Sequence, residues 1–322
     1  MKHSTASLII GLLAFAGGCQ LGPKVEFVRG DRKIDVMVGG EHFTSYRYED
    51  TLTKPVLYPV RSPSGIEVNR SYPLAKVEGE SNDHPHHVGV FFTYDRVNDD
   101  GFWNNATSPP QVKHIKVTKM KSGAGKGKLS TAMHWVSTSG QTLLEENRDM
   151  VFTAGEDEYV IDLSINLTAL DTKVVFEDTK EGMFAIRVAD WLREDEGTGK
   201  YLNSNGDESP VNENIWGKRA QWVRLQGEKN GKTIGTAIFN HPASVNYPTY
   251  WHARPYGLFS ANPLGQYDFE KKRNPETAKP LNFTLEAGGT AHFRFLMLIY
   301  EGERTKEQLE ERFKVFAKSV KQ

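Results

Sequence analysis

The sequence predicts an all-β protein: a large antiparallel β-sandwich with one C-terminal helix. Three observations carry this expectation. Apolar and polar residues alternate through many runs, which is the period of a strand with one buried face. Turn-forming residues separate those runs. A convincing helical period occurs once, near the C-terminus. Strands with one apolar face must bury it against a partner layer, so many of them imply two packed sheets. At 322 residues the chain is about three times the length of an immunoglobulin sandwich.

The strand-like runs are Val25–Val28, Lys33–Val38, Val88–Tyr94, Val112–Met120, Leu129–Thr138, Thr142–Phe152, Tyr159–Ala169, Arg219–Gln226, Thr233–Phe239 and Phe293–Ile299. The clearest is Tyr159–Ala169. There Tyr159, Ile161, Leu163, Ile165 and Leu167 face one way, and Asp162, Ser164, Asn166 and Thr168 the other. Gly39-Gly40 and Asn230-Gly231 mark turns. The glycine-rich stretch 123–127 lacks the Gly-Lys-Ser/Thr ending of a phosphate loop and reads as a hairpin. Thr305 and Gln308 form a capping box for a helix over 305–320. Leu309, Phe313, Phe316 and Val320 then make one apolar stripe, suited to covering a sheet. The polar stretches 194–214 and 269–279 read as long loops.

The N-terminus reads as a targeting segment. Lys2 and His3 precede a short apolar core, Leu8–Phe15, and then Ala16-Gly17-Gly18-Cys19. That core is too short to span a bilayer, which takes about 20 apolar residues. Residues 1–18 are expected to be a lipoprotein signal peptide, with Cys19 as the lipid attachment site. Residues 19–24 would be a tether and 25–322 a single sandwich domain carrying the helix. The expected location is the bacterial cell envelope, at the outer membrane or its periplasmic face, with the membrane touched through the lipid anchor only. Cys19 is the only cysteine, so no intramolecular disulfide or cysteine-based zinc site can form. The 40 basic and 41 acidic residues nearly cancel, which leaves no basic excess for nucleic acid.

The most concentrated chemistry is His84-Pro85-His86-His87, preceded by Asp83. Imidazole transfers protons near neutral pH and is the commonest metal ligand. Pro85 disfavours the α region for His84, so the segment is expected to be extended, with His84 and His86 on one side and His87 on the other. Glu181, ahead of Gly182, places a carboxylate at a strand mouth, and Arg187 follows it. Trp216 and Lys218 form a third patch, and Asn240-His241 a fourth. Tyr250 to Tyr256 mixes aromatic rings with His252 and Arg254, and Asn262 lies just beyond. Such a mixture suits a polar ligand, with rings for its faces and charged groups for its hydroxyls. Each patch also has a plainer explanation, as edge histidines, solvated ion pairs or core aromatics.

Taken together the motifs resemble one bacterial family. They are His86-His87-Val88-Gly89, Asp100-Gly101-Phe102-Trp103-Asn104, Thr179-Lys180-Glu181-Gly182 with Arg187-Val188-Ala189-Asp190, Trp216-Gly217-Lys218-Arg219, and Trp251 through Phe259 with Asn262-Pro263-Leu264-Gly265. This is the family known as PmoA-like, rich in secreted and lipoprotein members, and the resemblance runs from about Val25 to Glu301. It implies no particular reaction. The run from Leu285 to Phe295 looks like the closing strands of galactose-mutarotase-like sandwiches. That resemblance implies a sugar cleft on a large sheet, with histidine as general acid and a carboxylate as general base.

The leading expectation is a cell-envelope lipoprotein that binds a carbohydrate, or another polar small molecule, and processes it as an epimerase, lyase or hydrolase. His86, His87, Glu181 and His252 are the catalytic candidates. His84, Trp103, Arg187, Lys218, Arg254, Tyr256 and Asn262 are the ligand-binding candidates, and His86 or His87, Glu181, Arg187, His252, Arg254 and Tyr256 are expected to converge on one face. One alternative is a glycan-binding lipoprotein without catalysis. Another is a metal-dependent oxygenase or hydrolase using His84 and His86. Val88, Val90, Phe91 and Phe92 stand where a carboxylate ligand would follow His-x-His, so no cofactor is expected, although a divalent metal stays open.

Overall fold

The alternating runs pair into two antiparallel sheets. The computed structural model describes residues 22–105, 108–209 and 214–320. The expected signal peptide, Cys19 and the first residues of the tether lie outside the described residues. In spatial order the first sheet holds nine strands: Tyr250–Ala253, Leu258–Asn262, Gly182–Arg187, Val90–Tyr94, Val56–Val60, Glu41–Arg47, Lys33–Val38, Lys24–Gly30 and Gly123–Ala124. The second holds eight: Lys200–Asn203, Trp222–Lys229, Lys232–Asn240, Thr290–Glu301, Glu158–Ala169, Thr142–Ala154, Lys126–Val136 and Gln111–Lys121. A small third sheet pairs Val174–Phe176 with Phe283–Leu285. The molecule is therefore a large antiparallel β-sandwich.

The inner faces interdigitate as the alternation requires. Ile161, Leu163 and Ile165 of the eight-stranded sheet, with Phe293, Phe295 and Met297, meet Phe92, Phe184 and Ile186 of the nine-stranded sheet. One ion pair lies inside this apolar layer. The Glu146 carboxylate accepts from Arg148 Nε at 2.7 Å and from the Trp135 indole N–H at 2.9 Å. The Arg148 guanidinium lies 5.8 Å from the centre of the Phe92 ring on the opposite sheet.

The helix forms where its capping box predicts, over Lys306–Lys318. The Thr305 hydroxyl accepts from Gln308 N–H, and the Gln308 side chain accepts from Thr305 N–H. Leu309, Phe313 and Phe316 pack on Val160, Phe239, Leu296 and Leu298, on the outer side of the eight-stranded sheet. The expected stripe is one residue shorter in the structure, because Val320 lies past the last turn and is 82% exposed. The expectation of one helix is also corrected. A short second helix, Gln266–Glu270, opens the predicted 269–279 loop, and a 3-10 turn spans Asp190–Leu192. The predicted 194–214 loop contains the strand Lys200–Asn203.

Several strands carry no alternation in sequence. Gly182–Arg187, Tyr250–Ala253 and Leu258–Asn262 are buried at every position. Their inner face meets the opposite sheet and their outer face lies under loops. Burial on both faces erases the polar half of a period-2 pattern.

The Glu146–Arg148 pair yields a stability prediction. Glu146→Ala strands a buried guanidinium, so it should lower the unfolding free energy by about 3–5 kcal/mol, measured by urea denaturation. A loss below about 1 kcal/mol, the value of a surface pair, would show that the pair is solvated.

Candidate functional site

The register of the nine-stranded sheet fixes what its outer face presents. His252 pairs with Ser260, Ser260 with Ala185, Ala185 with Phe91, and Phe91 with Val56. Side chains one residue along point inward, as Phe259, Ile186 and Val90 do. Arg187 opposes Leu258, whose carbonyl accepts from Arg254 N–H. Arg187 and Arg254 thus stand two strands apart on the outer face, roughly 10 Å at the usual strand spacing.

The histidine segment departs from the expected extended form. His84 adopts a φ of +44°, and His87 N–H donates to the His84 carbonyl at 3.0 Å. Residues 84–87 therefore make a turn with Pro85 in its second position, where proline's fixed φ is favoured. The residue before a proline avoids the right-handed α region, and His84 does so by going left-handed. The turn gathers all three rings, so His87 does not face away. His84 and His87 stack with centres 4.9 Å apart and planes 1° apart. His86 meets His87 edge-on at 4.4 Å. Tyr256 lies parallel to His84 at 5.1 Å.

Asp83 anchors this turn. Its Oδ1 accepts from Arg70 Nη1 at 2.5 Å and from Arg187 Nη2 at 2.6 Å, and both arginines are fully buried. Burial raises the Asp83 pKa, but Arg187, the His84 hydrogen bond and Arg70 outweigh it and hold the carboxyl at about 2. Oδ2 pairs with His84 Nδ1, which must carry the proton because Asp83 is ionised. His84 Nε2 makes no hydrogen bond among the described residues, and the side chain is 41% exposed.

The other imidazoles are placed differently. Burial, then Lys54, pushes the His86 pKa down to about 4. His87 is held well below the usual range by burial, then by His86 and Arg187, and neither ring nitrogen has a partner. Two nitrogens of Arg187 and the Trp103 indole nitrogen are likewise buried without partners. Orphaned polar groups of this kind are few in native structures.

A second group is built on the start of strand Gly182–Arg187. Gly182 is required there, since a Cβ would collide with the Tyr94 ring. That fixes Glu181 at the strand mouth, with a side chain 16% exposed. Its carboxylate pairs with Lys180 and lies 3.9 Å from His252 Nδ1. His252 Nδ1–H donates to the Lys180 carbonyl at 2.9 Å, while Nε2 accepts from Arg254 Nε–H at 3.1 Å. Burial first, then Arg254 and Lys180, keep His252 neutral. Both its nitrogens are occupied, so it positions Arg254 and the Glu181 loop. The Arg254 guanidinium lies 5.0 Å from the Trp216 ring centre.

Tyr256 joins the two groups. Burial raises its phenol pKa; Arg254 and Arg187 act against this, and Glu181 and Asp83 act with it. All four charges are thus within electrostatic reach of one ring. His252 is also among the groups that depress His87.

The sequence candidates therefore divide. His84, His86, His87, Glu181, Arg187, His252, Arg254 and Tyr256 gather on the outer face. Trp103 is buried against His87, with ring centres 5.7 Å apart. Asn262 is buried behind the Glu181 loop, where it donates to the Thr179 carbonyl at 2.9 Å and accepts from Leu264 and Gly265 N–H. Lys218 is held by Asp207 at 2.9 Å. His241 packs on Phe316 beneath the helix. Arg70 had no sequence signal, being an isolated cation between Asn69 and Ser71. Among the described residues no group of three His, Cys, Asp or Glu side chains is placed to hold a metal ion.

Comparison with known proteins gives a family. No curated protein matches the chain. Among solved structures, a galactose mutarotase-like protein from Clostridium acetobutylicum aligns at 8% identity and a TM-score of 0.45, covering 89% of this chain and 100% of the other. Galactose 1-epimerase from Lactobacillus acidophilus NCFM aligns at 9% identity and a TM-score of 0.43, covering 88% and 100%. The matching family model carries a different description from the PmoA-like label that the motifs suggest. It spans residues 33–314, and the chain belongs to this family of unknown function, DUF6807.

Proposed function

We propose that the outer face of the nine-stranded sheet binds a carbohydrate and moves a proton on it, as an epimerase, lyase or hydrolase does. One observation carries the reading: the Asp83–His84 pair, with Nε2 of His84 open, lies against Tyr256, whose phenol also feels the Glu181 carboxylate. A hydroxyl-rich ligand suits a face that carries an acid, a base and guanidinium donors beside aromatic rings. His84 takes the proton-carrying role expected of His86, His87 or His252. Its Nδ1 is oriented by a fixed anion, as proton-transfer histidines require, whereas His87 and His252 are buried neutral rings. In a mutarotase-like reaction His84, protonated on Nε2 as well as Nδ1, gives its Nε2 proton to the ring oxygen while Glu181 removes the anomeric hydroxyl proton and the bond from C1 to the ring oxygen breaks; after rotation about C1–C2 the two transfers reverse and the ring recloses. We also propose that the protein is a cell-envelope lipoprotein anchored through Cys19. Kinship with PmoA-like proteins is proposed on the motifs alone.

Three experiments test these readings. With anomer interconversion and glycoside cleavage followed by NMR on a sugar panel, His84→Asn and Glu181→Gln should each slow turnover by about 10²–10⁴-fold, with little change in melting temperature. Binding without any turnover in the wild type would make the protein a glycan-binding lipoprotein. No binding at all would remove the carbohydrate reading.

Asp83 adds a pH dependence. Its folded pKa of about 2 lies below the ordinary 3.8, so its charge stabilises the fold above 3.8, and that contribution is lost as pH falls through 2. Asp83→Asn should be less stable than the wild type at pH 6, with the gap closing between about pH 4 and 2. A gap independent of pH would refute the linkage.

Cys19→Ser should release the protein from the membrane fraction and abolish acyl labelling. Unchanged fractionation and labelling would sink the anchor.

A further inference from the structure

Lys54 is a buried cation that the chemistry above does not use. It lies two residues before strand Val56–Val60 and is 2% exposed. Its ammonium donates to the Trp103 carbonyl at 3.2 Å and sits 5.3 Å from the centre of the Phe91 ring. No carboxylate among the described residues lies within ion-pair distance of it. Asp95 acts on it from farther away, and Asp95 Oδ1 is itself buried without a partner. Lys54 lines a cavity of about 180 Å³ together with Leu52, Val88, His86 and Asn105. Leu52 and Lys54 also border a wider hollow of about 600 Å³ on the side of His114.

A lysine side chain taken out of water without a counter-ion favours its neutral amine. Burial lowers the Lys54 pKa to about 7, with Asp95 opposing. Lowering a lysine pKa by desolvation is how amine nucleophiles are activated at neutral pH. The cavity sets apolar Leu52, Val56 and Val88 beside polar Thr51, Thr53 and Asn105, and supplies one imidazole. Lys54 is the largest charge acting on that imidazole, which stays neutral and able to accept a proton.

We propose that Lys54 is a nucleophilic amine that captures the carbonyl group of a small aldehyde, such as an open-chain sugar, as an imine. The sugar as natural substrate rests on the carbohydrate reading above. The Nζ lone pair attacks the carbonyl carbon, a C–N bond forms, and the C=O π pair moves to oxygen. His86 carries one proton from the nitrogen to the alkoxide, giving the carbinolamine, and then carries the second nitrogen proton to its hydroxyl. That hydroxyl leaves as water as the C=N bond forms. One amine and one aldehyde give one imine and one water, with no change of oxidation state.

The test uses the intact protein with glycolaldehyde and cyanoborohydride near pH 7, followed by peptide mapping. Reduction converts the imine to a stable hydroxyethylamine. Lys54 should be labelled more than about tenfold faster than exposed lysines such as Lys116 and Lys119, because far more of it is unprotonated. Lys54→Met, which keeps the stem and removes the amine, should lose this label and keep the surface background. Labelling at the surface lysines with Lys54 unmodified overturns the proposal, and the wild-type map decides this even if the variant fails to fold. A methyl glycoside, locked as a ring, separates this from the carbohydrate reading. If the glycoside binds and Lys54 is not labelled, only the imine falls. If Lys54 is labelled and no glycoside binds, the amine site stands and the sugar face falls.

Discussion

Two buried arginines on one carboxylate hold the working face of this protein together. Arg70 and Arg187 are fully buried, and a guanidinium removed from water costs several kcal/mol unless it is paired. Asp83 provides that pairing for both at once. The consequence is topological. Arg187 ends a strand of the nine-stranded sheet, while Arg70 and Asp83 belong to the long segment between strands Val56–Val60 and Val90–Tyr94. Satisfying the charges pins that segment across the sheet. Backbone bonds from Arg70 to Arg187 and from Ala189 to Val68 follow, and Ser81 donates to the Asp190 carboxylate. The pinned segment then delivers the histidine turn to Tyr256.

That covering segment also decides what the sequence could reveal. Strands with one wet face are legible: Lys33–Val38 and Glu158–Ala169 show the alternation and fall where it predicts. The helix is legible because its cap is chemical, a threonine and a glutamine three residues apart. Strands such as Gly182–Arg187 and Leu258–Asn262 are not, since a chain buried on both faces has no polar period to read. These hidden strands carry the site. The candidate residues were legible by chemical type, because histidine, arginine and tryptophan in short clusters are conspicuous. Their grouping was not. Pro85 announces a departure from the right-handed helix, yet extended and left-handed solutions both meet that constraint. The His87-to-His84 backbone bond, the Asp83–His84 bond and the carbonyls held by Arg70 favour the turn. Arg70 and Lys54 left no pattern at all, since their roles depend on burial alone.

Environment separates the four imidazoles on this face by function. His252 spends both nitrogens, one on a backbone carbonyl and one on Arg254, so it acts as a strut between a loop and a guanidinium. His87 is buried with neither nitrogen satisfied, a cost of about 1–3 kcal/mol for each group that the rest of the fold must absorb. His86 lines a cavity together with Lys54. His84 alone combines a fixed tautomer with an open nitrogen. Proton transfer needs a group that can both hold and release a proton at an accessible atom, and a buried neutral ring meets neither condition. By residue type the four histidines are alike, and desolvation together with a single aspartate makes them unequal. The same carboxylate that permits two arginines to be buried therefore also fixes the tautomer of the imidazole left open beside Tyr256.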